Sequence, residues 1–117
     1  MSRIRFAAVV IAAGAALLVA GPAAAATKLI ATVGPGFTIT LTKGGKKVTS
    51  LPAGAYTITV RDKSNIHNFH LKGPGQNKLT AVAFVGTKTW NVSLKKGRYT
   101  FVCDPHVAAM KGAFTVK

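Results

Sequence analysis

Apolar and polar residues alternate with a period of two through most of the chain. Phe37, Ile39 and Leu41 alternate with Thr38, Thr40 and Thr42, and Tyr56, Ile58 and Val60 with Thr57, Thr59 and Arg61. Trp90, Val92 and Leu94 alternate with Asn91, Ser93 and Lys95, and Tyr99, Phe101 and Cys103 with Thr100 and Val102. Phe114 and Val116 continue the pattern at the C-terminus. Side chains on a strand point to opposite faces in turn, so each run predicts a strand with one face on a core. Phe37 is thus expected inside, beside Ile39 and Leu41. Turn signals separate the runs: Gly34-Pro35-Gly36, Gly44-Gly45, Pro52-Ala53-Gly54, Gly73-Pro74-Gly75 and Lys95-Lys96-Gly97. Short strands at this spacing indicate an all-β sandwich or barrel. Gln76 to Lys88 carries no clear period and is expected to hold an irregular loop. No amphipathic helix is predicted.

The first 26 residues break this pattern. Arg3 and Arg5 precede an apolar stretch from Phe6 to about Gly21, closed by Pro22 and the small run Ala23 to Ala26. That order predicts a secretory signal peptide cleaved after Ala26. The alternative is a retained anchor, since Phe6 to Ala26 is long enough to span a bilayer. Residues 27–117 then form one domain, placed in the periplasm or another extracytoplasmic space. Disulfides persist there, yet Cys103 is the only cysteine, so no internal disulfide can form. An unpaired cysteine in an exported chain is a link between chains, a reactive thiol or a ligand.

Sixteen Lys and Arg stand against two acids, Asp62 and Asp104, a net charge of +14. Removing Arg3 and Arg5 leaves +12. Such a field favours acidic protein partners, anionic envelope polymers or lipid headgroups. Nucleic acid is not expected outside the cytoplasm, and no aromatic–basic module of the RNA-binding kinds is present. Two Asp and no Glu leave no Ser/His/Asp set, and an enzyme is not expected. A Cys103–His106 nucleophile pair is the one formal exception. An inward thiol with a methionine nearby points instead to a metal.

Chemistry concentrates near the C-terminus. Cys103, His106 and Met110 fall within eight residues. Thiolate and thioether are soft ligands that suit copper, and two His with one Cys and a distant axial Met make an electron-transfer copper site. Cys103 is in phase with Tyr99 and Phe101, so its sulfur is expected on the core side at a strand end. Phe114 and Val116 put a core strand on the far side of the loop. The second histidine is His67 or His70, in Asn65-Ile66-His67-Asn68-Phe69-His70-Leu71. Read as a strand, this segment turns His67 inward with Phe69 and Leu71, and His70 outward with Asn68. His67 is therefore the expected ligand. His70 is expected at the surface or in a supporting role, and is the alternative ligand.

The segment Gly97-Arg98-Tyr99-Thr100-Phe101-Val102-Cys103-Asp104-Pro105-His106, followed by Met110-Lys111-Gly112, resembles the C-terminal signature of the cupredoxins, the plastocyanin and azurin family. His67-Asn68 resembles the family's upstream ligand histidine and the asparagine after it. Leu51-Pro52-Ala53-Gly54-Ala55-Tyr56 also resembles bacterial members. The resemblance implies a Greek-key β-sandwich of about seven to eight strands. It implies one copper ion held by His67, Cys103 and His106, with Met110 as the weak axial ligand. It also implies supporting places for Asn68, Asp104 and Pro105, with Asn68 tying the two ligand-bearing segments together near Asp104. The Cys-x-x-His spacing resembles plastocyanin and amicyanin, whereas the three residues between His106 and Met110 resemble azurin.

The resulting expectation is an exported, monomeric blue copper protein that carries one electron at a time. The alternative is an envelope protein that delivers or sequesters copper. The imidazole edge of His106, flanked by Pro105, Val107 and Ala108, is the expected electron exit. A nearby Lys-rich surface, with Lys72, Lys95, Lys96 and Lys111 as candidates, would steer an acidic redox partner.

Overall fold

A computed structural model describes residues 25–117. The signal-peptide reading therefore lies outside the described residues for all but its last two positions. Ten strands follow one another: β1 (Thr27–Val33), β2 (Ile39–Lys43), β3 (Lys46–Lys47), β4 (Ser50–Leu51), β5 (Gly54–Asp62), β6 (His70–Gly73), β7 (Gln76–Leu79), β8 (Gly86–Leu94), β9 (Gly97–Val102) and β10 (Lys111–Val116). The only helical element among the described residues is one 3-10 turn, Asp104–His106. The count exceeds the expected seven to eight partly because β3 and β4 are two-residue strands with no alternation to read.

The strands form two five-stranded sheets, ordered β3-β2-β1-β5-β8 and β4-β10-β9-β6-β7. The chain crosses between sheets at β3–β4, β4–β5, β5–β6, β7–β8 and β8–β9, which makes the Greek-key sandwich. Alternation has its predicted consequence. Leu29, Ala31 and Val33 of β1, Ile58 and Val60 of β5, Leu94 of β8, Tyr99 and Phe101 of β9, and Phe114 and Val116 of β10 fill the space between the sheets. Phe69 stacks on Phe101, and Tyr99 on Phe114. Fully burying one such side chain stabilises the fold by about 1.5–3 kcal/mol.

The Tyr99 hydroxyl pins one end of the sandwich. It accepts the Lys95 amide at 3.0 Å and lies within donating distance of the carbonyls of Lys95 and Pro74. Its ring lies flat against Gly73, where a Cβ would meet Tyr99 Cδ1 at 2.1 Å. Only glycine fits there.

Two expectations need correction, and a third is narrowed. Phe37 is not in a core strand. β2 starts at Ile39, and Phe37 occupies the preceding bend, 60% exposed. The segment Asn65–Leu71 is not one strand, because extended pairing begins only at His70. The Gln76–Lys88 stretch does hold an irregular loop, but only over residues 80–85: β7 pairs with β6 through Gly73↔Gln76 and His70↔Leu79, and β8 starts at Gly86. Polar β7 has four residues with no inward apolar face, so it leaves no period in the sequence.

Candidate metal centre

Two connections at the same end of the sandwich carry the candidate ligands. The first joins β5 to β6. Asp62 closes its start as an Asx turn, with Oδ1 accepting the Ser64 amide at 3.0 Å. The Lys63 amide bonds to the Val33 carbonyl at 2.9 Å, which fixes the segment to β1. His67 follows, only 1% exposed. The second connection joins β9 to β10. These strands pair up to Val102↔Lys111, and the Cys103 amide bonds to the Met110 carbonyl at 3.0 Å. Within the loop the amides of Ala109 and Met110 both donate to the His106 carbonyl. The loop is thus a closed hairpin end with Cys103 and Met110 buried at its two feet and His106 at its crown.

His67, Cys103 and His106 come together. Cys103 Sγ lies 3.7 Å from His67 Nδ1 and 3.6 Å from His106 Nδ1, and the two nitrogens are 3.1 Å apart. A point in the plane of these three atoms lies about 2 Å from each, close to ordinary metal–nitrogen and metal–sulfur bond lengths. One soft sulfur and two imidazole nitrogens are the donor set copper takes in a trigonal site. The sulfur also accepts the Asn68 amide at 3.4 Å. These residues fit a copper ion. Met110 is fully buried at the foot of the loop.

A polar frame joins the two connections. Asn68 Nδ2 donates to Asp104 Oδ2 at 2.8 Å and to the Thr80 carbonyl at 3.1 Å, while Asn68 Oδ1 accepts the Asp104 amide at 2.8 Å. Thr80 Oγ1 accepts the Phe69 amide at 3.0 Å, and the Phe69 carbonyl accepts the Thr80 amide. His70 is not at the surface. It is 8% exposed, with Nδ1 at 2.9 Å from Asp104 Oδ1 and Nε2 at 2.6 Å from Asn77 Oδ1. Strand phase does direct it away from the core. However, Asp104 and the β7 residue Asn77 close over it, so it supports the loop with both ring nitrogens engaged. Pro105 lies exposed at the start of the 3-10 turn.

Burial pushes the Asp104 carboxyl up. The hydrogen bonds from Asn68 and His70, with the charges of His70 and Lys72, outweigh it and hold the carboxyl below its ordinary value. Asp62 goes the other way. Burial pushes its carboxyl up against the opposing pull of the Ser64 amide and His67. Asp62 Oδ2 is buried without a hydrogen-bond partner.

Sequence reasoning missed Phe37, Asn77 and Thr80. The Phe37 ring stands edge-on to both ligand imidazoles, with centroids 5.3 Å from His67 and 5.0 Å from His106. Its place in the Gly34-Pro35-Gly36 turn, rather than in the strand after it, was the available signal. Asn77 and Thr80 act through polar contacts across the fold and left none. The four candidate steering lysines do not share one surface. Lys111 is at the site end, Lys95 and Lys96 are in the turn at the opposite end, and Lys72 lies between them.

The family of copper binding proteins described as plastocyanin/azurin matches residues 33–117. The chain belongs to this family, the cupredoxins. Among solved structures it is similar to reduced rusticyanin, with 26% identity, a TM-score of 0.58, and 77% of this chain and 78% of that one covered. It is also similar to reduced auracyanin of Roseiflexus castenholzii, at 21% identity and TM-score 0.55, covering 79% and 98%. Auracyanin A of Chloroflexus aurantiacus, a blue copper protein, matches at 17% identity and TM-score 0.50, covering 78% and 98%. No curated protein matches the chain.

Proposed function

We propose that this cupredoxin is an exported blue copper protein that carries single electrons between redox partners. The observation that carries the reading is the triangle of Cys103 Sγ, His67 Nδ1 and His106 Nδ1, with sides of 3.1 to 3.7 Å. Copper bound there supplies a one-electron couple between Cu(I) and Cu(II). His67 and Cys103 are held inside the fold, and the loops carrying them are cross-linked by Asn68, Asp104 and Thr80. Such a frame resists rearrangement when the charge at the centre changes. Met110, buried at the loop's foot, is the proposed axial ligand.

His106 is the only partly exposed member of the ligand triangle. The exposed apolar side chains of Phe37 and Val107 support its ring edge as the electron exit. Short-lived docking of an acidic partner on that surface follows from the basic charge of the chain. The Arg-initiated apolar run Phe6 to Gly21 supports export.

Titration of the purified protein with Cu(II), followed by optical spectroscopy, tests the reading. One equivalent should develop an intense blue thiolate band that bleaches on reduction and returns on oxidation. Cys103→Ser should lose the band while retaining the β-sheet circular dichroism spectrum. A colourless protein that holds only Cu(I), or one that yields copper readily to a weak chelator, would establish copper delivery or sequestration instead.

A further inference from the structure

Acidic side chains are confined to one end of the sandwich, whereas lysines stand at both. Asp62 and Asp104 are both at the metal end, Asp62 closing β5 and Asp104 opening the 3-10 turn. The opposite end carries no acidic side chain among the described residues. Lys28 is the second residue of β1, Lys43 and Lys46 flank the Gly44-Gly45 turn, Lys95 and Lys96 form the β8–β9 turn, and Lys117 follows β10. All six are exposed. The two ends lie about 20 Å apart, the length of seven β1 residues at about 3.3 Å each. That separation exceeds the screening length of about 8 Å in physiological salt, so the two ends present independent fields.

The chain also enters at the basic end. β1 begins at Thr27, paired with Tyr56 near the start of β5, and the apolar run Phe6 to Gly21 precedes it by a few residues. Retained as an anchor rather than cleaved, an apolar run adjoining a cluster of lysines is the combination that engages a bilayer with anionic headgroups. We propose that the end of the sandwich opposite the metal centre is a docking surface for an anionic lipid bilayer. The six lysines contact the headgroups, and His106 points into the aqueous space. A protein held this way exposes its electron exit to partners diffusing along the membrane. The proposal does not depend on copper being bound.

Vesicle co-sedimentation of the full chain without copper tests it. The probes are vesicles of phosphatidylcholine alone and of phosphatidylcholine with 30% phosphatidylglycerol. Two charge-matched variants are compared: Lys43→Glu/Lys46→Glu/Lys95→Glu/Lys96→Glu at the basic end, and Lys63→Glu/Lys78→Glu/Lys88→Glu/Lys111→Glu toward the metal end. Circular dichroism first confirms that both fold. Added phosphatidylglycerol should raise the partition coefficient of the wild type at least tenfold at low salt, and 0.5 M salt should remove most of the gain. The basic-end variant should lose the gain, and the metal-end variant should keep at least a third of it. Equal losses in the two variants would overturn the proposal, because net charge rather than this surface would be acting. Equal binding to both vesicle types would overturn it in favour of simple insertion of the apolar run. Retention on polyphosphate without any gain on anionic vesicles would overturn it in favour of a soluble polyanion.

Discussion

Asn68 and Asp104 hold each other twice. The Asn68 amide group donates to the Asp104 carboxylate, and the Asp104 backbone amide donates to Asn68 Oδ1, each at 2.8 Å. One residue follows the ligand His67 and the other follows the ligand Cys103, so the pair fixes the distance between two ligand-bearing loops that are 36 positions apart in sequence. Asn68→Ala breaks both bonds and leaves the Thr80 carbonyl without its donor. The expected cost is about 2–3 kcal/mol, read from urea unfolding of the metal-free protein. The copper-loaded variant should release its metal to a chelator faster than the wild type.

Phe37 is largely exposed, so Phe37→Ala should change stability by less than about 1 kcal/mol. It removes the ring standing edge-on to both imidazoles. Chelator-driven copper loss should therefore accelerate by about tenfold while the thermal midpoint of the apo-protein hardly moves. A large drop in that midpoint with no change in release would assign Phe37 to the core instead.

The two carboxylates should respond to acid in opposite ways. Asp62 has its value raised by burial, so its charged form opposes folding above that value. The penalty is relieved as pH falls through it. Asp62→Asn should raise the unfolding temperature at pH 7, with the advantage shrinking on acidification. Asp104 has its value lowered, since the partners Asn68, His70 and Lys72 outweigh the effect of burial. Its contribution to stability is present above the ordinary carboxylate range near pH 4 and lost as pH falls through the lowered value. Asp104→Asn should therefore be less stable than wild type at pH 6, with the gap closing below about pH 4. Calorimetry of the three apo-proteins across this range separates the two effects.

Gly73→Ala places a methyl group inside the Tyr99 ring, 2.1 Å from Cδ1. The conformation of Gly73 is not itself demanding, because its φ is not positive. The cost is therefore steric, about 1–3 kcal/mol of overpacking. Near-ultraviolet circular dichroism should report a displaced Tyr99, and the hydroxyl that pins the β8–β9 turn should lose its partners.

Period-two alternation determined the all-β class, the inward faces of β5, β8, β9 and β10, and the inward sulfur of Cys103. The reason is that a half-buried strand repeats its environment every second residue. The same rule failed where no strand existed. Phe37 shares the parity of Ile39 and Leu41, but the bend before β2 turns it outward over the imidazoles. Strand parity places His67 inward. It is inward, although the segment holding it is a loop secured by Asp62 and Val33.

Residue identity is enough to name the donors: one thiol, three imidazoles and a thioether at the end of a hairpin. Donor chemistry belongs to residue type and survives any folding. Their roles come from the folded arrangement, because a role depends on what lies across the fold. It set the imidazole nitrogens of His67 and His106 against the sulfur of Cys103. It turned His70 to Asp104 and Asn77. It also separated the lysines into a metal end that includes both acids and an opposite end without any.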